Sequence, residues 1–497
     1  MQKYIILQVI LCIIAFLLSF FNVYELLLIS GIFSSILYTV MMINEAKREQ
    51  WIISPLVLYL GASVLSVGIS PIYEYKCIEK GYDNILGLGY TNFSSEMPLA
   101  QAICLLGTMI FYTGYKITDS GKINRVIKIY NQKASRIGIK MTIFRWLVII
   151  SIAWLIRFLP ELGIPLSDKM GSMYQFISFI PVVGPFFILT NRVAIYRTNI
   201  IIRPAGGLAI YFALIVAFCE IYWHAIYSTM REPIMGVIFY LFIGYILQQK
   251  LYFTSIYKSI RNSAMIKSLF IGIFLFAFIF IIILPFGKTI AKGGKIPEKE
   301  NVFYNFTYLG DTFPMEGLWN LPYRASLGNI GLAGCIKLRN NGSNPENTVL
   351  SQVMIGIIPR ILWPGKPYVS QGAKFSILFN VGGGTDERSA TTATGMTAIG
   401  ELYWSYGILG VVFGMMIIGI MHGILFKIFS YNFPLHPIRA WVTVLLLYSG
   451  FSRFDSDATS VYVFIIYCII VFYPLSKINN SRQNQTRQQK INNAFLI

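Results

Sequence analysis

Apolar stretches of membrane-crossing length recur about twelve times along this chain, and that recurrence restricts its fold more than any other feature. They lie near 4–22, 25–43, 51–72, 98–117, 144–160, 174–191, 206–224, 233–250, 267–286, 396–426, 438–452 and 458–475. A hydrophobic fraction of 55%, with 37 Phe and 31 Tyr, exceeds what a soluble domain buries, and a mean hydropathy of +0.61 agrees. The expected fold is an all-α polytopic membrane protein with about 12 transmembrane helices. The N-terminal run has one basic residue before it and no small-residue cleavage site after it. Another apolar run follows at once, so it reads as a retained first span and not a removed signal peptide.

The spans divide the chain into a bundle of about nine helices over 1–286, a large polar segment over 287–395, and closing spans over 396–475. A tail rich in Asn, Gln and Arg over 476–497 is expected to be disordered. The large segment is too short for a conventional soluble catalytic domain, so it is expected to pack on the bundle as a lid. Within it, VLSQVMIGIIPRILW reads as an amphipathic helix lying in the interface before Pro364.

The formal charge of +19 raises the question of nucleic acid, but positive charge dispersed among membrane spans has a simpler origin. Lys and Arg collect in cytoplasmic loops and face anionic membrane lipids. With the N-terminus inside, about 24 of the 41 Lys and Arg fall on the cytoplasmic side and about six in short outer loops. Both termini are therefore expected in the cytoplasm and the large segment outside. Cys77 and Cys335 both fall in segments placed outside, where a disulfide is one option. No CxxC or Cys/His cluster points to a metal.

Ionisable residues at the membrane edge are candidates for chemistry because they are costly to keep there. Arg360 and Lys366 lie in IPRILWPGKP, a turn stiffened by Pro359, Pro364 and Pro367, so both cations lose little entropy on gripping an anion. Arg offers a planar fork to phosphate oxygens and Lys a point charge. Arg231 in STMREP and Arg453 in GFSRFDSDATS are further candidate phosphate contacts. Snorkelling for the first and pairing with Asp455 or Asp457 for the second are the plain alternatives. For a general base the choices are Glu401, at the start of a late span, Glu220, which shares a helix face with His224, and Asp455. Glu401 also reads as a helix-dipole partner. The Asp-Ser-Asp run invites comparison with nucleotide-sugar metal motifs but lies on the wrong side for such donors. His422 and His436 map to the cytoplasmic side. Trp363 and Tyr403 stand out among the aromatic residues as platforms for a sugar ring.

The turn IPRILWPGKP followed about thirty residues later by IGELYWSYGILGVVFG resembles the oligosaccharide repeat-unit polymerases, the Wzy-type O-antigen or capsule polymerases of Gram-negative inner membranes. The similarity covers roughly 350–425. It implies a GT-C-like, metal-independent glycosyltransferase with a periplasmic site and no cofactor. The growing glycan would pass from undecaprenyl diphosphate to the non-reducing end of a new lipid-linked repeat unit. A flippase and a chain-length regulator of the same pathway are implied partners. Arg231, Arg360, Lys366 and Arg453 would then hold the diphosphate, Trp363 and Tyr403 the glycan, and Glu401, Glu220 or Asp455 would take the hydroxyl proton. The related O-antigen ligases use a His in the large outer segment, and 287–395 contains none. A lipid-linked oligosaccharide flippase or other transporter is the rival from another class. An O-acyltransferase would need an intramembrane His with companions.

Overall fold

The structure is a computed structural model describing residues 2–21, 23–49, 54–121, 123–125, 127, 143–159, 177, 179–190, 193–196, 199–202, 207–224, 236–241, 244, 320–345, 348–358, 362–363, 365–367, 371–381, 395–430, 437–452 and 457–474. Helices dominate: α1 (Gln2–Phe20), α2 (Glu25–Glu49), α3 (Pro55–Ser63), α4 (Ser70–Glu79), α5 (Met97–Ile117), α6 (Ile143–Phe158), α7 (Ile180–Thr190) and α8 (Gly207–Trp223). Then follow α9 (Asn320–Asn340), α10 (Val349–Ile357), α11 (Gln371–Leu378), α12 (Thr397–Phe429), α13 (Pro437–Phe451) and α14 (Ala458–Tyr467). A π-turn, Val64–Ile69, joins α3 to α4 in one continuous helix. The sheet among the described residues consists of two small antiparallel pairs, Gly87–Leu88 with Thr91–Asn92 and Val193–Tyr196 with Asn199–Ile202.

Five helical stretches among the described residues are long and apolar enough to cross a membrane: Lys3–Phe20, Glu25–Arg48, Pro55–Glu79, Ser94–Ile117 and Thr397–Phe429. Shorter apolar helices occupy Ile180–Leu189, Leu208–Trp223, Ile438–Phe451 and Ala458–Phe472. The expected span near 267–286, and most of that near 233–250, lie outside the described residues.

The central packing is α5 against α12. Between helices already surrounded by apolar groups, close van der Waals approach through small residues replaces the hydrophobic drive. Glycines supply that approach. A Cβ on Gly114 would come within 2.6 Å of the Met416 carbonyl oxygen, and one on Gly107 within 2.7 Å of Ile399. From the other helix, Gly419 rests on the Phe111 carbonyl and Gly423 on Thr118.

The ends of α2, α5 and α12 are tied together by charge. Lys116 Nζ lies 2.6 Å from Glu45 and 3.0 Å from Asp119, Lys427 Nζ lies 2.6 Å from Asp119, and Arg48 reaches both acids. Burial works to raise the Asp119 carboxyl. The Lys427 hydrogen bond and the charges of Lys116 and Lys427 outweigh it, and hold the group at about 2 instead of 3.8.

The large segment departs from the lid expectation in its middle. α9 is inserted in the bundle, packed on α4, α5 and α12, with Ser326, Asn329, Leu332, Ala333, Cys335 and Ile336 buried. Its polar residues kept it below the hydropathy of a span, while Gly331 and Gly334 let neighbours close on it: a Cβ on the first would lie 2.6 Å from the Gly395 carbonyl oxygen. The two outer cysteines are not bonded to each other. All six are free thiols, with Cys335 inside the bundle beside Gly400 and Cys77 beside Tyr73. α10 lies where the amphipathic reading put a helix. One side packs on α14, where Gly356 meets Val463 and Tyr467 Oη donates to the Ile357 carbonyl, and the other exposes Leu350 and Met354.

Two outcomes test this packing. Gly419→Leu should cost more than the 1–3 kcal/mol typical of overpacking, because backbone cannot move aside as a side chain can. Gly365→Ala, at a position open to solvent, should be neutral in the same detergent melting assay. Since the folded Asp119 pKa lies below its unfolded value, the stability it contributes is present above about pH 4 and is lost as pH falls toward 2. Asp119→Asn should remove roughly 2 kcal/mol at neutral pH, and acid titration of the melting temperature should then lose its step in that window.

Candidate functional site

α12 is broken near its start. Gly407 has φ 68° and ψ −154°, a conformation that a residue with a Cβ adopts only under strain, and it turns the chain so that 397–406 folds against the next half. Gly410 and Gly414 accept this approach, with Leu402 lodged against Gly414. A break in a membrane helix frees backbone carbonyls, which need donors from elsewhere. Arg339, at the end of α9, supplies one: its Nη1 donates to the Trp404 carbonyl oxygen at 3.0 Å, while the guanidinium lies 5.9 Å from the Tyr403 ring centre. Arg339 is half-buried and has no acidic partner among the described residues. The sequence reading passed over it. Its spacing in KLRNNG carries no signal, because its role depends on a carbonyl freed more than sixty residues later.

Trp404 Nε1 donates to the Ser343 carbonyl at 2.9 Å, and Tyr406 Oη accepts from the Leu350 amide at 3.1 Å, so the break is also fastened to α10. Glu401 is fully buried. Its carboxylate accepts from the Thr459 amide at 3.0 Å and the Thr459 hydroxyl at 2.8 Å, capping α14 from outside while Asp457 caps the same helix from its own N-cap through Ser460. Negative charge at a helix start is favourable, so both carboxylates sit where the dipole wants them. The dipole reading of Glu401 thus applies, but to α14 and not to its own helix.

Glu220 stands apart from this cluster, in a buried pair on α8. Arg157 of α6 bonds both its oxygens at 2.9 and 3.0 Å, Trp154 Nε1 donates to it, and His224 approaches to 3.4 Å. The shared Glu220–His224 face is present. The pair to Arg157 makes this carboxylate a strut between helices, because the charge that binds Arg157 is the same charge a base would need free.

Lys366 bends back onto α10, donating to the carbonyls of Ile358 at 2.9 Å and Gly356 at 3.4 Å, as cations do at helix C-termini. Trp363 is exposed and Tyr403 buried beneath Arg339. Arg231, Arg360, Arg453 and Asp455 lie outside the described residues. The helix leading to Arg453 ends with Gly450 against Pro55 and Ser449 bonded to His422 at 2.9 Å. The charge pattern puts Pro55, the start of α3, inside and Arg453 outside, and the Gly450–Pro55 contact sets these two expectations against each other. Among the described residues no group of three or more His, Cys, Asp or Glu is placed to hold a metal ion.

Fold and site define an all-α membrane protein whose spanning helices are interrupted at Gly407 and at Val64–Ile69. Comparison with family models, with curated proteins and with solved structures finds no match to this chain.

Glu401→Ala would leave the Thr459 amide and hydroxyl without an acceptor, at about 1–3 kcal/mol each. The expected result is a marked fall in melting temperature, with Glu401→Gln retaining most of it because an amide oxygen still accepts.

Proposed function

We propose that the protein polymerises lipid-linked oligosaccharide repeat units, transferring a growing glycan from a polyprenyl diphosphate to the next repeat at the outer face of the inner membrane, within a GT-C-like bundle of about twelve spans. The observation that carries this reading is the Arg339 guanidinium, half-buried and without an acidic partner among the described residues, bonded at the break in α12 to the carbonyl of Trp404, one turn from Glu401. The resemblance of 350–425 to repeat-unit polymerases supplies the substrate class.

In this reading an acceptor hydroxyl attacks the donor's anomeric carbon, the bond to the diphosphate oxygen breaks, and the lipid diphosphate leaves with the bonding pair. Arg339 joins Arg360 and Arg231 as the groups offered to that developing charge, while Lys366 is taken up by the carbonyls of α10. Removing one such donor typically lowers the rate about a hundredfold to a thousandfold. Of the candidate bases, Glu401 belongs to the region of the break, and Glu220 serves structure. A single displacement inverts the anomeric centre.

The test is the length distribution of surface glycan in a strain deleted for the protein and complemented with variants. Deletion should leave cores capped by a single repeat. Arg339→Ala and Arg360→Ala should each give short, sparse ladders at wild-type protein levels. An unchanged ladder on deletion would refute polymerisation, and loss of even the single-repeat cap would assign the protein to lipid-linked oligosaccharide export.

A further inference from the structure

The second interruption, remote in sequence from the first, leaves two carbonyls without their helical donors. Pro71 has no N–H to offer the Val67 carbonyl, and the Ser70 amide bonds Leu65 across the π-turn, which frees the Ser66 carbonyl as well. Neighbouring helices fill both places: Ser34 Oγ donates to Val67 at 2.8 Å, Gln101 Nε2 to Val67 at 3.0 Å, and Asn329 Nδ2 to Ser66 at 3.3 Å. These side chains bring α5 and α9 against the turn, and Asn329 extends the network to Glu74. Its Nδ2 donates to Glu74 Oε1 at 3.0 Å, beside the Ser70 hydroxyl at 2.7 Å, while its own oxygen accepts from the Cys104 thiol.

Both donors that reach Glu74 fall on the same oxygen. Oε2 is buried with no hydrogen-bond partner, as is the Oε1 of Gln101, whose amide nitrogen is committed to Val67, and both residues are 0% exposed. Among the described residues no positive charge answers this carboxyl. On α4 itself Tyr73 and Cys77 are neutral in their ordinary forms, and Lys76, two residues along, lies on another side of the helix. The turn after α4 adds Asp83, a second acid, near Cys77. α5 brings Cys104, and α2 an uncharged stretch, 26–35, whose Gly31 meets Gly68 and Ile72. From α9 come Tyr323 and Arg324, and the Arg324 guanidinium lies over the Tyr323 ring 5.9 Å away. A carboxylate ionised in such a place, with neutral donors on one oxygen and none on the other, is strongly unfavourable. A proton on Oε2 removes the charge and makes that oxygen a donor where buried acceptors, Gln101 Oε1 among them, are in excess.

We propose that Glu74 is a proton-binding site, carrying its hydrogen at neutral pH as an uncharged acid, and that this proton holds α4, α5 and α9 together at the π-turn. None of the groups offered for glycan transfer takes part, so the site is independent of the polymerase reading. Loss of the proton puts a lone negative charge into the seam where α9 enters the bundle. Docking of α9 is therefore proton-dependent and loosens as the medium turns alkaline, the opposite sense to the Asp119 network.

The experiment compares wild type with Glu74→Gln, each purified at full length in detergent, by infrared spectroscopy at neutral pH and by thermal melting from about pH 6 to 9. The carbonyl stretch of a protonated carboxyl is separate from the carboxylate bands and shifts in D2O, and the wild-type-minus-variant spectrum should contain it. In the unfolded chain the exposed side chain ionises near its ordinary value of about 4.3. The folded state then binds one proton more, and the wild-type folding equilibrium constant should fall by up to about tenfold per pH unit through this range. Glu74→Gln, whose amide keeps a neutral acid's shape and both its hydrogen-bonding roles, should melt higher than wild type by a margin that widens with pH. Carboxylate bands alone in the difference spectrum, or parallel melting of the two proteins across the range, would overturn the proposal. So would failure of Glu74→Gln to fold, since a site built for an uncharged acid accepts the amide.

Discussion

Close approach of α5 and α12 is the contact on which the other arrangements rest. Side chains larger than hydrogen at Gly107, Gly114, Gly419 or Gly423 would push the two helices apart, and with them the parts that each carries: the Gln101 and Cys104 side chains on one, Glu401 and the Gly407 break on the other. In a bilayer no solvent pressure draws helices together, so shape does. Directed bonds then fix the register. At one end lies the Glu45–Lys116–Asp119–Lys427 network, and at the other Glu401 holds α14 and Arg339 holds Trp404.

Polar groups in this protein are largely consumed by neighbours they were not expected to meet. Glu401 and Glu220 looked alike from sequence, as lone acids in apolar helices. The first caps another helix and the second is clamped by Arg157. The same logic distinguishes the cations. Lys366 answers the carbonyls at the end of α10, while Arg339 spends one donor on Trp404 and meets no acidic group among the described residues. Availability, more than the presence of charge, is what separates a chemical group from a structural one here.

Hydropathy located α1, α2, the α3–α4 helix, α5 and α12 because each is apolar over its whole length, and a uniform run needs no knowledge of partners. It missed α9, whose Arg, Lys and Asn residues depress the average although its small residues and Asn329 are buried by helices distant in sequence. The break at Gly407 was not legible, since glycines are frequent throughout α12 and only one takes a positive φ. Tyr403 and Glu401 were singled out from the same stretch that holds the break, yet Arg339 went unnoticed, because a cation's worth was set by a backbone carbonyl and not by any motif around it.

The π-turn before Pro71 contains one residue more than a regular turn would. A helix advances about 100° per residue, so that extra residue resets the facing of everything after it. Without it, Glu74 would rotate by about that angle, out of reach of Asn329 and toward another neighbour. A single-codon deletion within 64–69 would therefore re-aim a whole half-helix without changing one of its side chains, which makes the length of this short stretch as consequential as its chemistry.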